Sequence, residues 1–396
     1  MQTANRPIFI LIAILSGVVA AAHIGKISIA LPFILFDLNI STVSTGYLLS
    51  MFSISAVALC LIIGMLVNSK NAIFLIAVGF CCLSLGGFWG SESAGFSSFL
   101  ASRVVEGVGF VLIIVAAPYL ISISTNPSSK KGAILCWGMA LPLGIALGIL
   151  LFWPYLSGGS WEAYWQAIAA LALMCGVGML VLHWYEQRVL FPSLLVKRPS
   201  GPIDFGKYKG VGLLAVAFFI YNLQNLAIVS WLGQLAIDYL NLLDINIALL
   251  TSSIILMNVL GNLLAFIIRG KVKLVVLLII VQVFIALAIL CFFIVQPLLW
   301  KVPFLYVFSF FGGMLPGTLM SHVPQYVKSE ADVPKGIGIL VLGDNLGALA
   351  GPTVFAYAVF FADDWWGFAY VPFVALAAMI LVGFLLHQAQ SSMQKS

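Results

Sequence analysis

The stretch VKLVVLLIIVQVFIALAILCFFI, residues 272–294, holds no charge after Lys273 and a single amide, Gln282. As a helix rising 1.5 Å per residue, residues 274–294 reach about 31 Å, the thickness of a hydrocarbon core of ~30 Å. The stretch therefore reads as a membrane-crossing helix. Runs of the same kind recur on both sides of it, at about 7–31, 46–67, 72–90, 96–122, 132–156, 162–184, 210–236, 247–268, 303–327, 336–361 and 366–388. With 272–294 they number twelve. A transmembrane β-barrel would show alternating segments of about ten residues, and these runs are longer and do not alternate. The fold class is all-α integral membrane, with twelve transmembrane helices.

Composition agrees. Of 396 residues, 63% are hydrophobic and 8% charged, against about 25% charged in ordinary soluble domains. In the first run, VVAAAH (18–23) offers small residues where a secretory signal would be cleaved. The orientation of the later runs nevertheless works with that run retained. Of the eighteen Lys and Arg, fifteen fall at the two termini or in even-numbered connections, among them Arg6, Lys70, Lys197, Arg198, Lys207, Arg269, Lys271, Lys328, Lys335 and Lys395. Only Lys301 lies in an odd-numbered connection, and those carry Asp37, Glu92, Glu162, Asp238, Asp244, Asp363 and Asp364. The positive-inside rule then places both termini in the cytoplasm, which an even number of crossings requires. The net charge of +5 belongs to solvated cytoplasmic loops and gives no reason to expect nucleic acid. Cys60, Cys81, Cys82, Cys136, Cys175 and Cys291 all lie inside runs without ligand spacing, so neither a disulfide framework nor a metal site is expected.

One connection is long, YEQRVLFPSLLVKRPSGPIDFGKYKG at 185–210, rich in basic residues, Pro and Gly. It divides the chain into an N-terminal six-helix bundle (1–184), a cytoplasmic central loop (185–209) and a C-terminal six-helix bundle (210–396). No phosphate loop G-x-x-x-x-G-K-[ST] occurs, which excludes ATP-driven transport on this chain. The halves echo each other. Run five carries GMALPLGIALG (138–148) and run eleven GDNLGALAGP (343–352); Pro118 of run four and Pro324 of run ten align so that Gly107 stands opposite Gly313. Both pairs are six runs apart, as in transporters built from repeats.

Three local motifs point to a family. GMLVNSK (64–70), RVVEGVGF (103–110) and GMALPLGIALG resemble the loop, span-four and span-five motifs of the major facilitator superfamily. Asn68 stands where that family usually carries Asp. The resemblance covers the whole chain and, through GKISIALP (25–32), looks most like the cyanate-permease-like branch. It implies two pseudo-symmetric six-helix bundles, a pathway lined by spans one, four, seven and ten, and small anions or organic solutes as cargo.

Ionisable groups inside the runs are few: Lys26, Arg103, Glu106 and Asp344, joined by His23 and His322. Each charge costs about 2.5–3.5 kcal/mol at a helix centre, so such groups face a bundle interior or a watery cavity. His23 and Lys26 share a helix face, as do Arg103 and Glu106. Lys26 can instead snorkel to the outer interface, and Arg103 and Glu106 can be no more than an ion pair holding the bundle. Glu106 can equally pair with Lys26. Asp344 is read either as a proton carrier or as a structural acceptor. Run seven adds Tyr221, Asn222, Gln224 and Asn225, run eight Asn258 and Asn262, and run eleven Asn345. An interfacial belt accounts for Trp161, Trp165, Trp300, Trp365 and Trp366.

The expected function is secondary transport of a small anionic organic solute, coupled to protons, by alternating access. Lys26, Arg103, His23, Tyr221, Asn222 and Asn225 are the expected solute contacts, with Glu106 and Asp344 as proton carriers. Gly64, Asn68, Gly107, Pro142, Gly144, Gly148, Gly347 and Pro352 are the expected packing and gating positions. No catalytic residue, cofactor or metal is expected. The protein should be a monomer among membrane lipids, in a bacterial inner (plasma) membrane. Efflux of amphipathic drugs is the alternative, and a membrane receptor without transport is the alternative from another class.

Overall fold

The computed structural model describes residues 7–38, 40–68, 70–158, 160–189, 208–238, 240, 245–268, 270–295, 300–327 and 333–393. Most of the central connection lies outside them, as do Arg6, Asp244, Arg269, Lys328 and Lys395. Among the described residues, twelve helices are long and apolar enough to cross a membrane. Spans one to six are Pro7–Leu38, Ser44–Leu66, Ala72–Ser91, Phe96–Ser124, Gly132–Ser157 and Trp161–Tyr185. Spans seven to twelve are Lys209–Asp238, Ile247–Ile268, Leu274–Ile294, Val302–Tyr326, Lys335–Ala362 and Trp365–Ala389. Span one starts and span twelve ends on one side of the bundle, the termini side; the opposite is the far side.

Span one outruns its expected end, passing through Pro32 to Leu38. Pro32 has no N–H for the Ser28 carbonyl. Gly233 of span seven closes on that carbonyl, where a side chain would collide with it. Two other spans are broken by proline. Span five is a helix to Gly138, a turn at Met139 and a second helix from Ala140, because Pro142 cannot donate to the Gly138 carbonyl. Span ten breaks likewise at Met314, where Pro316 leaves the Gly312 carbonyl without its helical donor.

Lipid supplies no hydrophobic drive between helices, so close backbone approach at small residues has to hold the bundle. The glycines do this in a repeated pattern. Gly107 of span four lies against the Phe52 carbonyl of span two, and Gly313 of span ten against the Asn258 carbonyl of span eight. Gly144 of span five meets the Val18 carbonyl of span one, and Gly343 of span eleven meets the Ala215 carbonyl of span seven. Each second contact is the first moved on by six spans. Gly148 against Ala22 and Gly347 against Phe219 extend the two series.

Spans one to six meet spans seven to twelve differently at the two sides. Toward the far side the joint is polar: Ser28 Oγ donates to the Val229 carbonyl at 2.8 Å, Ser50 and Thr353 share a bond of 2.8 Å, and the Tyr47 and Tyr357 hydroxyls one of 2.7 Å. Toward the termini side, Cys60, Ile63 and Val111 pack with Val341, Ile337 and Met320. That joint is apolar.

Candidate solute cavity and its charge cluster

A cavity of about 110 Å³ lies at the middle of the bundle. Spans one, two, four and five line one wall, with Arg103, Phe52 and Pro142 among the residues; spans seven, eight, ten and eleven line the other. Tyr221, Asn222, Asn225, Asn258, Asp344 and Asn345 face it there. Met139 and Met314, where spans five and ten break, adjoin the lining residues Gly138 and Pro316 or stand close to them in sequence.

Behind the first wall four ionisable side chains are packed without exposure: His23, Lys26 and Glu106 are 0% exposed and Arg103 1%. Their helical spacing brings them together, because three residues separate each pair on its own span. Glu106 uses both oxygens. Oε1 accepts from the Lys26 ammonium and stands 2.9 Å from His23 Nδ1, and Oε2 accepts from the Arg103 guanidinium. Arg103 also donates to the His23 carbonyl at 3.3 and 3.4 Å. Aromatic faces cover the cations: Lys26 Nζ sits 3.9 Å from the centre of the Trp165 ring, and Arg103 Cζ 4.6 Å from that of Phe52. Two cations, Lys26 and Arg103, share one carboxylate, so the group carries a surplus positive charge in either protonation state of His23. Of the four, only Arg103 reaches the cavity.

The opposite wall is built from amides. Asn222 Nδ2 donates to the Asp344 Oδ1 at 2.7 Å and to the Asp344 carbonyl at 2.9 Å, tying span seven to span eleven. Glu106 makes salt bridges to His23, Lys26 and Arg103, and among the described residues none reaches Asp344. Asn258 donates to the Tyr221 hydroxyl at 3.5 Å, and Asn345 Nδ2 to the Val341 carbonyl at 2.8 Å. Asn262, one turn beyond Asn258, is fully buried and its amide has no protein partner.

Several expected positions therefore converge and others do not. Arg103, Tyr221, Asn222, Asn225 and Asp344 face one cavity. His23, Lys26 and Glu106 stand behind Arg103, and total burial removes the snorkelling reading of Lys26. Trp165 is not part of an interfacial belt, because it is 0% exposed beneath Lys26. Trp161, 4% exposed, donates to Asp37 at 2.6 Å. Residue spacing alone did not indicate Phe52. Trp165, one turn into span six beside Trp161, carried no spacing signal that set it apart from the other tryptophans. Pro142 lines the cavity, and the Pro352 carbonyl accepts from Trp231 at 3.3 Å. Asn68 bonds within its own loop, donating to the Leu66 carbonyl and accepting from the Lys70 N–H, and Gly64 has no neighbour within 4 Å of a Cβ. His322 closes the end of its helix through the Thr318 carbonyl at 2.8 Å.

Comparison with known proteins places this architecture. A hexuronate transporter of Bacillus subtilis (strain 168) is 24% identical over 241 residues, 58% of this chain and 56% of that protein, so the chain spans little more than half the length of that relative. A crystal structure of a D-xylose-proton symporter superposes with a TM-score of 0.69 at 15% identity, covering 95% of this chain and 96% of that one. That likeness is one of fold. The sequence profile described as Major Facilitator Superfamily matches residues 8–331, and the chain belongs to that superfamily.

Proposed function

We propose that the protein is a secondary transporter that moves a small organic anion together with a proton. The observation that carries this reading is Arg103, the one member of a cation-rich buried cluster that faces the central cavity. A guanidinium presents two parallel donors to a carboxylate, and the amides of Asn222, Asn225 and Asn258 with the Tyr221 hydroxyl suit hydroxyl groups on the remainder of the solute. A hydroxylated carboxylate of the sugar-acid type fits that set, and the name of the hexuronate transporter agrees with it. Drug-sized ligands occupy pockets of roughly 300–1,000 Å³. The cavity, at about 110 Å³, favours a smaller solute over an amphipathic drug.

The two carboxylates divide the work. Protonating Glu106 would leave two buried cations without their counter-charge, a penalty of several kcal/mol. Asp344 holds no cation, so a proton there removes an isolated charge and the repulsion an entering anion would meet. Glu106 thus keeps the solute site positive, and Asp344 takes the proton. Lys26 and His23 act through Glu106 as positioning residues. The halves 1–184 and 210–396 rock about the cavity, with the polar far-side joint opening in one half-cycle and the apolar joint in the other. The basic bias of the loops supports a cytoplasmic termini side in a plasma-membrane protein.

The test is counterflow in proteoliposomes with a sugar acid and its neutral sugar. Accumulation of the acid alone, raised by an inward proton gradient, supports the reading; equal transport of both, or of neither while cationic drugs move, overturns it.

A further inference from the structure

Span eight is tied to span ten inside the second half, Gly261 lying against the Phe310 carbonyl and Gly313 against the Asn258 carbonyl. Span five is tied to span one inside the first half by Gly144 and Gly148. The two helices face each other across the halves at Gly138. There the three atoms nearest to a Cβ would all belong to the Asn262 amide group: Nδ2 at 3.1 Å, Oδ1 at 3.9 Å and Cγ at 4.0 Å. Asn262 is 0% exposed, and neither its Nδ2 nor its Oδ1 has a partner among the described residues. Gly138 and Asn258, the latter one turn from Asn262, both line the cavity. Asn262 stands six residues before the end of span eight and Gly138 six residues after the start of span five, about 9 Å from the termini side in each case. Arg103, seven residues into span four, lies about 10 Å from the far side. Arg103 and Asn262 therefore mark opposite ends of the cavity.

We propose that Asn262 is a solute contact of the state open to the termini side, uncovered when span five leaves span eight and bonding the solute's hydroxyls after the carboxylate leaves Arg103. The inference rests on the solute reading above. Close glycine contacts hold each of the two helices to its own half, whereas no hydrogen bond joins Asn262 to Gly138, so this seam is the one that parts. The piece of span five that moves off it, Pro127–Gly138, already ends at the break at Met139. An amide buried with donor and acceptor both unmet raises the free energy of the closed state, and opening is favoured by the bonds it then gains. Asn258 and Asn262, four residues apart, share a face of span eight. An amide donates and accepts, as a hydroxyl does, so a polyol leaving Asn258 meets the same chemistry one turn nearer the termini side.

Asn262→Leu removes the amide at similar volume. In the purified full chain its thermal midpoint should rise by about 2 °C, because an unmet polar group has gone. In proteoliposomes, sugar-acid affinity from the far side should change by less than about two-fold while the transport rate falls about ten-fold, the worth of one hydrogen bond. In a background without native cysteines, Asn262→Cys in vesicles with the termini side outward should react with an impermeant thiol reagent. Sugar acid at about four times its Kd should slow that reaction about five-fold, in proportion to the sites left empty. An unchanged rate in Asn262→Leu, or labelling that sugar acid does not slow in a protein that transports it, overturns the proposal. A lowered midpoint or failure to fold in Asn262→Leu overturns it as well, because the amide would then serve the closed structure. Labelling of Asn262→Cys in a protein that binds no sugar acid supports the uncovering of this seam and overturns the solute reading instead.

Discussion

Lys26→Gln separates the arrangement seen here from direct solute contact. Lys26 does not reach the cavity; it bonds Glu106 Oε1 while Arg103 bonds Oε2. A carboxylate on Arg103 would therefore lie roughly 8 Å from the Lys26 ammonium, counting hydrogen-bond lengths of about 2.8 Å through Glu106. At an effective dielectric of ~20, a unit charge at that distance contributes about 332/(20 × 8), or ~2 kcal/mol. Removing it should weaken anion binding by roughly thirty-fold. The effect passes through charge alone, so the neutral sugar should change by less than about two-fold, and Lys26→Arg should recover most of the loss. Isothermal titration of the unaltered protein and both variants with the acid and the neutral sugar, at fixed ionic strength, reads these affinities. Equal losses for acid and neutral sugar would mean that packing around Trp165 was broken, and no loss for the acid would take Lys26 out of the electrostatics of the site. Either result refutes the surplus-charge reasoning.

Asp344→Asn should abolish accumulation driven by a pH gradient while preserving solute-for-solute exchange in vesicles; full pH-driven uptake in that variant would remove Asp344 as the proton carrier. Glu106→Gln should instead destabilise the fold by about 3–5 kcal/mol, since it strands two buried cations, and a thermal scan in detergent that finds an unchanged midpoint would contradict this. Among the glycines, Gly144→Val should prevent a stable bundle because its Cβ meets the Val18 carbonyl, whereas Gly64→Ala should stay within about 0.5 kcal/mol, having no neighbour within 4 Å; similar yields of folded protein from both would show that backbone approach is not what holds spans one and five. In a background without native cysteines, Lys70→Cys and Lys271→Cys should resist impermeant thiol reagents on intact cells and Asp363→Cys should react, and the reverse pattern would invert the orientation.

Twelve crossings were legible because each is a long apolar run, and a helix that satisfies its own backbone in lipid needs little else. The glycine series was legible only as spacing; that Gly107 and Gly313 each meet a carbonyl two spans back is a three-dimensional fact. Arg103 and Asp344 could be singled out because charge is expensive in hydrocarbon. Which of the charged residues faces the cavity could not be read, since His23, Lys26, Arg103 and Glu106 share depth and differ only in the direction each helix face is turned. Trp165 was misread for the same reason: position near a span end suggests the interface, while the rotation of span six turns the ring inward onto Lys26.

The breaks at Met139 and Met314 give the bundle two flexures that are not counterparts of one another. Span five corresponds to span eleven and span four to span ten, yet spans four and eleven run unbroken past Pro118 and Pro352. Each half therefore bends at a different member of its repeat. A helix missing one or two backbone bonds, each worth about 1 kcal/mol net, flexes at that turn and carries torque poorly beyond it. Opening toward one side and opening toward the other are then separate mechanical operations with their own barriers, and the forward and return strokes of a cycle have no symmetry that would make their rates equal.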